Sequence, residues 1–189
     1  VQALREGACE DEPIYIDLAF DAGLTAHRPY AGDTSKPSTG WHAQFADVNN
    51  DTWHDLFIAK GNVEAMPNFA AFDPDNLLLG SETGQYREVG DLAGIALDRR
   101  GRGGVIEDFN ADGKLDLLVI NREDVPSLFV NQGPLDAPSP AQGLGNFLRV
   151  ELSNGAVNPQ GIGASISVKT GNRFQTKTVA IGGGHASGQ

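Results

Sequence analysis

An all-β fold is what this sequence predicts, from three observations. Glycine supplies 24 of the 189 residues, nearly double the usual share of about 7%, and 10 prolines with a single methionine accompany it, a composition of many turns and short strands. The longest aliphatic runs, Leu117–Ile120 and Leu77–Leu79, have strand length rather than helix length. Finally, an acidic pattern recurs along the chain, each time leading into one of these short runs.

The recurrence gives the elements their order. Phe45-Ala-Asp-Val-Asn-Asn-Asp-Thr-Trp-His-Asp-Leu-Phe-Ile-Ala59 aligns with Ile106-Glu-Asp-Phe-Asn-Ala-Asp-Gly-Lys-Leu-Asp-Leu-Leu-Val-Ile120, 61 residues further on. A second pair, Tyr15–Leu24 and Tyr86–Ile95, lies 71 residues apart and shares an ending in Ala-Gly-Leu or Ala-Gly-Ile. Unequal offsets imply one repeating unit with insertions of variable length. Strands are expected at Leu56–Ala59 and Leu117–Ile120, which follow the acidic loops, and at Asn76–Leu79, Gln85–Val89 and Ser127–Val130, where short apolar segments are bounded by turn residues. About four strands in a unit of about 60 residues is the pattern of a β-propeller blade. Two acidic-loop units and the tail of an earlier one are too few to close a ring, so the chain is expected to be a piece of a longer protein.

Residues 134–145 form a Pro-rich connector, beginning Pro134-Leu-Asp-Ala-Pro-Ser-Pro-Ala-Gln-Gly143. Beyond it no acidic loop recurs. Strand patterns return at Phe147–Leu152, Ala164–Lys169 and Phe174–Ile181, most clearly where Ala164, Ile166 and Val168 alternate with Ser165, Ser167 and Lys169. Three parts are thus expected: repeat units over 1–133, the connector, and a small β-rich module over 146–189 ending in the turn-rich Gly182-Gly-Gly-His185.

Charge narrows the function classes. Fourteen Lys and Arg against 25 Asp and Glu leave a formal charge of −11. A nucleic-acid binder needs clustered basic surface to displace counterions, and the densest basic group here is Arg99, Arg100 and Arg102. No apolar run approaches the roughly 20 residues of a membrane-spanning helix. Cys9 is the single cysteine, which excludes an internal disulfide or a cysteine-based metal cluster. No secretory or lipoprotein signal precedes it, and because Val1 is not methionine the sequence is expected to begin after processing or partway along a longer chain.

The acidic loops carry the chemistry. Asp47, Asn49, Asp51 and Asp55 match Asp108, Asn110, Asp112 and Asp116. Side-chain oxygens at positions 1, 3, 5 and 9, with the backbone carbonyls of Trp53 and Lys114 at position 7, can surround calcium, which takes six to eight oxygens in flexible geometry. Magnesium suits the loops less, since it demands near-ideal octahedral geometry. Gly113 at position 6 allows the sharp turn, whereas the first loop carries Thr52 there and is expected to bind more weakly. Lys114 is expected to turn its ammonium outward. These are not EF-hands, because position 12 is Ile58 or Val119 and a strand follows where a helix would be needed. An acidic surface turn would account for one loop alone; its recurrence before matching strands favours a structural metal that ties strand to strand.

Asp-x-Asn-x-Asp-x-x-x-Asp followed by Leu-Phe-Ile or Leu-Leu-Val resembles the FG-GAP, or VCBS, repeat of integrin-type β-propellers. The 15–24 and 86–95 segments look like the strand ending in Ala-Gly-Leu that separates such repeats in the cartilage acidic protein family. Asn146-Phe-Leu-Arg-Val-Glu-Leu152, Gly161-Ile-Gly-Ala164 and Gly182-Gly-Gly-His185 resemble the ASPIC/UnbV module at the C-terminus of that family. The resemblance implies a seven-bladed or similar propeller, placed outside the cytoplasm, with two calcium ions on the residues named above. It also implies a truncated module, since the sequence ends before the His-Phe-Gly-Leu-Gly segment the family would place beyond Gln189.

Nothing in the sequence builds a catalytic centre. His27, His42, His54 and His185 show no metal-ligand spacing, and His185 with Ser187 lacks both a Gly-x-Ser-x-Gly elbow and an acidic partner. Gly161-x-Gly163 and Gly101-x-Gly103-Gly104 lack a surrounding βαβ unit and are expected to be tight turns. Trp41 and Trp53 are expected to pack in the core or at its rim. Asn50-Asp-Thr52 matches a glycosylation acceptor but lies inside a cation loop. The expectation is a non-catalytic, calcium-stabilised propeller module for a protein or glycan partner at the cell surface or in the periplasm, including a peripheral subunit of a membrane complex. The alternative is part of a propeller-borne polysaccharide lyase or hydrolase whose active site lies in other blades.

Overall fold

A computed structural model describes residues 15–25, 38–63, 71–134, 144–153 and 157–181. Cys9, His27, His185, Ser187, residues 135–143 of the connector and the segment after Ile181 lie outside the described residues. The described chain is mostly β-sheet with almost no helix, and none of its helices is long and apolar enough to cross a membrane.

Among the described residues, nine strands form three antiparallel sheets. The first holds β1 (Gly40–Ala46), β2 (Asp55–Lys60), β3 (Asn76–Leu79) and β4 (Arg87–Glu88) in that spatial order; the second holds β5 (Gly101–Glu107), β6 (Asp116–Asn121) and β7 (Ser127–Phe129); the third is a hairpin of β8 (Ser165–Thr170) and β9 (Arg173–Thr178). The strands expected after each acidic loop, at 76–79, and around 85–89 and 127–130 all form.

Two strands escaped the sequence. β1 and β5 run into the acidic loops, so each loop joins the two arms of an antiparallel hairpin. The register is the same in both, with Phe45 opposite Leu56 and Ile106 opposite Leu117, and both carry an irregularity near the start, at Gly40/His42 and Gly101/His-equivalent Gly103. The expectation of tight turns at Gly101, Gly103 and Gly104 is therefore corrected, because all three lie within β5. Two of these glycines mark a close approach of the sheets. A Cβ on Gly104 would lie 2.5 Å from Cε1 of Phe57, and one on Gly101 would lie 2.6 Å from the Asp75 carboxylate.

The main core lies between the first two sheets. Phe57 and Ala59 of β2 meet Ile106, Leu117 and Val119 of β5 and β6, with Ile95 beside them. The Gln44 side chain accepts a hydrogen bond from the Ile106 N–H at 3.1 Å, stitching the sheets at their edge. β2 is buried along its whole length, because its other face, Leu56 and Ile58 with Leu78 of β3, is covered by Leu24 and Tyr86.

The second sequence correspondence is also a structural one. Ala22, Gly23 and Leu24 donate to Leu18, Phe20 and Ala19, and Ala93, Gly94 and Ile95 donate to Val89, Asp91 and Gly90, the same three bonds 71 residues on. Gly23 and Gly94 share the left-handed conformation, with φ of 77° and 74°. Each turn delivers its last residue to equivalent ground: Leu24 covers Leu56 and Ile58, whereas Ile95 packs with Leu117 and Val119.

In the C-terminal part, β8 shows the expected alternation, with Ile166 and Val168 more buried than their neighbours. The strand expected at Phe147–Leu152 does not form: the segment pairs with no strand among the described residues, and Phe147, Leu148 and Val150 stay exposed. Alternating apolar residues favour a strand only where a neighbouring edge is available to complete the backbone hydrogen bonds.

Candidate metal centre: two equivalent acidic loops

Backbone geometry repeats almost bond for bond between the loops. Asp47 accepts from the N–H groups of Asp51 and Thr52 at 2.9 and 2.8 Å, as Asp108 accepts from Asp112 and Gly113 at 3.0 and 2.9 Å. Asn49 and Asn110 accept from the same Asp51 and Asp112 N–H groups, and Asp51 and Asp112 in turn accept from Trp53 and Lys114. The sequence dictates this arrangement, since Asp and Asn side chains bond to backbone N–H groups a few residues ahead and tolerate left-handed conformations. Asn50 and Ala111 take φ of 56° and 59° at position 4; Thr52 and Gly113 take 78° and 83° at position 6.

At position 9 the carboxylates of Asp55 and Asp116 are buried, 1% exposed each. Asp55 accepts from the Val48 and Gly80 N–H groups, both at 2.9 Å, and Asp116 from those of Phe109 and Asn131. These residues thus fasten the start of the loop to the end of the third strand of the sheet. That structural duty was not legible in the spacing. Each oxygen retains a second lone pair beyond its hydrogen bond.

Electrostatics distinguish the loops. Burial raises the Asp47 carboxyl above its ordinary range, with the neighbouring Asp51 charge adding to the effect. Burial likewise pushes Asp55 up to about 6, against the N–H bonds from Gly80 and Val48. In the second loop the Lys114 side chain hydrogen-bonds Asp112 and holds that carboxyl below its usual range. The expected outward ammonium is thereby corrected: Lys114 Nζ turns back onto Asp112 and is mostly covered.

The C-terminal part reaches both loops. The Arg173 guanidinium lies 4.4 Å from the Trp53 ring centroid and donates to Thr52 Oγ1. Gln175 reaches Asp47 at 3.4 Å. Phe147 covers Gly113 so closely that a Cβ there would lie 2.0 Å from the ring. Asn50 bridges the loops, donating to the carbonyls of Gly113 at 3.1 Å and Gly145 at 3.4 Å. Between them lies an open cavity of about 310 Å³ lined by Asn50, Asp112, Lys114 and Phe147, among others. Gly113→Ala is expected to lower stability by about 1–3 kcal/mol, through left-handed strain and displacement of Phe147. Thermal unfolding with ring-current shifts of Phe147 checks this, and an undisturbed Phe147 signal would count against the contact.

Trp41 and Trp53 are half-buried with a guanidinium over each ring, Arg102 at 4.5 Å and Arg173 at 4.4 Å, in keeping with packing at the rim. His54 is exposed. His42 is buried, 5% exposed, and neither ring nitrogen has a hydrogen-bond partner.

A cation in either loop would need mixed donors. Among the described residues, no three Asp, Glu, His or Cys side chains converge tightly enough to hold a metal by themselves. Oxygen-seeking cations also take amide and backbone carbonyl oxygens, which Asn49 and Trp53, or Asn110 and Lys114, add to each loop. A scan against protein-family models finds no match, and a search of curated proteins finds none.

Proposed function

We propose that this chain is a non-catalytic, calcium-binding β-repeat module, of the FG-GAP/VCBS propeller kind with an ASPIC/UnbV-like C-terminal part, serving outside the cytoplasm as a docking surface for a protein or glycan partner. The observation that carries the reading is the repetition of one loop conformation, hydrogen bond for hydrogen bond, at the two positions where the same Asp-x-Asn-x-Asp-x-x-x-Asp pattern recurs. Bringing carboxylates together costs repulsion that a cation offsets. Asp47, Asn49, Asp51, Asp55 and the Trp53 carbonyl would hold one ion; Asp108, Asn110, Asp112, Asp116 and the Lys114 carbonyl would hold the other. A bound calcium supplies positive charge, and the loop residues keep the hairpin ends in register.

Isothermal titration is expected to show two calcium ions per chain, and a concentration 100 times the dissociation constant should stabilise the fold by about 2.7 kcal/mol per site. Asp108→Ala should reduce the stoichiometry to one. A melting curve identical in saturating calcium and in chelator would defeat the proposal.

A further inference from the structure

The cavity between the loops and the C-terminal part has a volume of about 310 Å³, at the small end of the usual range for ligand sites, about 300–1,000 Å³. Its lining mixes three kinds of chemistry: the Asn50 and Asn146 amides, the Lys114–Asp112 ion pair, and the apolar Leu144 and Phe147. Lys114 and Asp112 cancel each other, so the wall is polar and apolar at once without a net charge. The formal charge of −11 on the whole chain adds no attraction for an anion.

Two of these side chains are held in place. Asn50 stands in the left-handed conformation, with φ of 56°, and its Nδ2 donates to the Gly113 and Gly145 carbonyls. Both amide protons are thereby used. Oδ1 accepts no hydrogen bond among the described residues and is left as a fixed acceptor in the cavity wall. Phe147 packs on Gly113 on one side yet remains 59% exposed. Groups already fixed in position lose little entropy when a ligand docks.

A fixed aromatic ring beside neutral amides fits a sugar. A pyranose gathers C–H groups on one face and carries hydroxyls around its rim. The slightly positive C–H groups suit the negative face of an aromatic ring. Each hydroxyl is both donor and acceptor, and amides or a Lys–Asp pair offer both functions in return. A folded protein would instead engage a surface of about 800 Å² and enter a cavity of this size with one side chain at most.

We infer that this cavity binds a neutral sugar residue of a glycan, stacked on Phe147 and hydrogen-bonded by Asn50, Asn146 and the Lys114–Asp112 pair, while the rest of the glycan leaves through the open mouth. The assignment rests on the docking role proposed above and narrows its partner to a glycan, but it requires no bound ion.

Nuclear magnetic resonance on the 189-residue chain, titrated with the methyl glycosides of glucose, galactose, mannose and N-acetylglucosamine, tests it. At least one glycoside should shift the side-chain signals of Asn50, Asn146 and Phe147 in a saturable way. Phe147→Ala should weaken that sugar by about 10-fold through loss of the stacked ring, whereas Phe147→Tyr should retain it. If circular dichroism shows Phe147→Ala unfolded, Asn146→Ala, at an exposed position, carries the same expectation of weaker binding. The methyl glycosides of glucuronic acid and glucosamine should bind less well, because the wall has no net charge to pair with theirs. Repeating the titration in calcium and in chelator, with calcium uptake read by calorimetry, separates the two readings. A sugar bound without calcium uptake keeps this site and removes the ions; calcium uptake with no sugar shift does the reverse. No saturable shift with any of the four neutral glycosides overturns the inference and leaves the docking surface to a protein. So does a folded Phe147→Ala variant that binds as the parent does, or a preference for the charged sugars.

Discussion

Phe57→Ala is expected to cost about 3–5 kcal/mol, the range for deleting a buried aromatic ring, which is a large part of the stability of a domain this size. Phe57 is fully buried at the centre of the contact between the two larger sheets. The ring also explains Gly104, since a Cβ there would stand 2.5 Å from Cε1 and 3.2 Å from Cδ1. Gly104→Ala alone should therefore destabilise by about 1–3 kcal/mol through overpacking. Phe57→Leu removes the far edge of the ring, so adding Gly104→Ala in that background should cost less than it does in the parent, with a coupling of about 0.5–3 kcal/mol. Urea unfolding of the four proteins measures the cycle. Strict additivity would show that β5 does not approach β2 as described.

This pair also shows where the sequence was informative and where it was silent. The acidic loops and the strands after them were legible because both signals are local: oxygen-bearing side chains at fixed spacing, then an apolar run. The correspondence of 15–24 with 86–95 was visible too, but as the end of a strand, whereas the structure folds both Ala-Gly endings as turns with Gly23 and Gly94 in the left-handed conformation. β5 was not legible, because its glycines read locally as a turn, and the reason for them is Phe57, almost fifty residues away in sequence. The strand expected at 147–152 failed in the opposite sense, its alternation being present without a described neighbour to pair with. In the loops, spacing identified Asp55 and Asp116 as acidic members but not as the residues that tie β2 and β6 to the ends of β3 and β7. Arg173 and Phe147 were missed because nothing in their own surroundings announces a contact with a loop so distant in the chain.

The buried charges beneath the first sheet were missed for the same reason, and they carry the second large effect. Lys60 ends β2, one residue beyond the strand the sequence predicts at Leu56–Ala59, and Lys60 and Asp73 are both fully buried, with Nζ 3.4 Å from Oδ1. Asp75, 5% exposed, accepts the Lys60 backbone N–H at 2.8 Å, and Asp73 Oδ2 has no hydrogen-bond partner. Burial lowers the Lys60 ammonium from its ordinary range while Asp73 opposes the shift. Burial also pushes the Asp75 carboxyl up to about 7 from 3.8, against the Lys60 N–H bond and charge. Lys60→Met should cost about 3–5 kcal/mol at neutral pH, because it strands a buried carboxylate without its partner. Asp75 gives an independent signature. Between pH 3.8 and about 7 the folded chain holds a proton that the unfolded chain has released, so this group's contribution to stability falls as pH rises through that window. Asp75→Asn keeps an acceptor for the Lys60 N–H and removes the proton, and its unfolding free energy should lose that part of the downward slope. If the parent and Asp75→Asn show parallel stability profiles from pH 4 to 7, Asp75 ionises as freely in the folded chain as in the unfolded one, and the buried cluster is more open to water than its geometry describes.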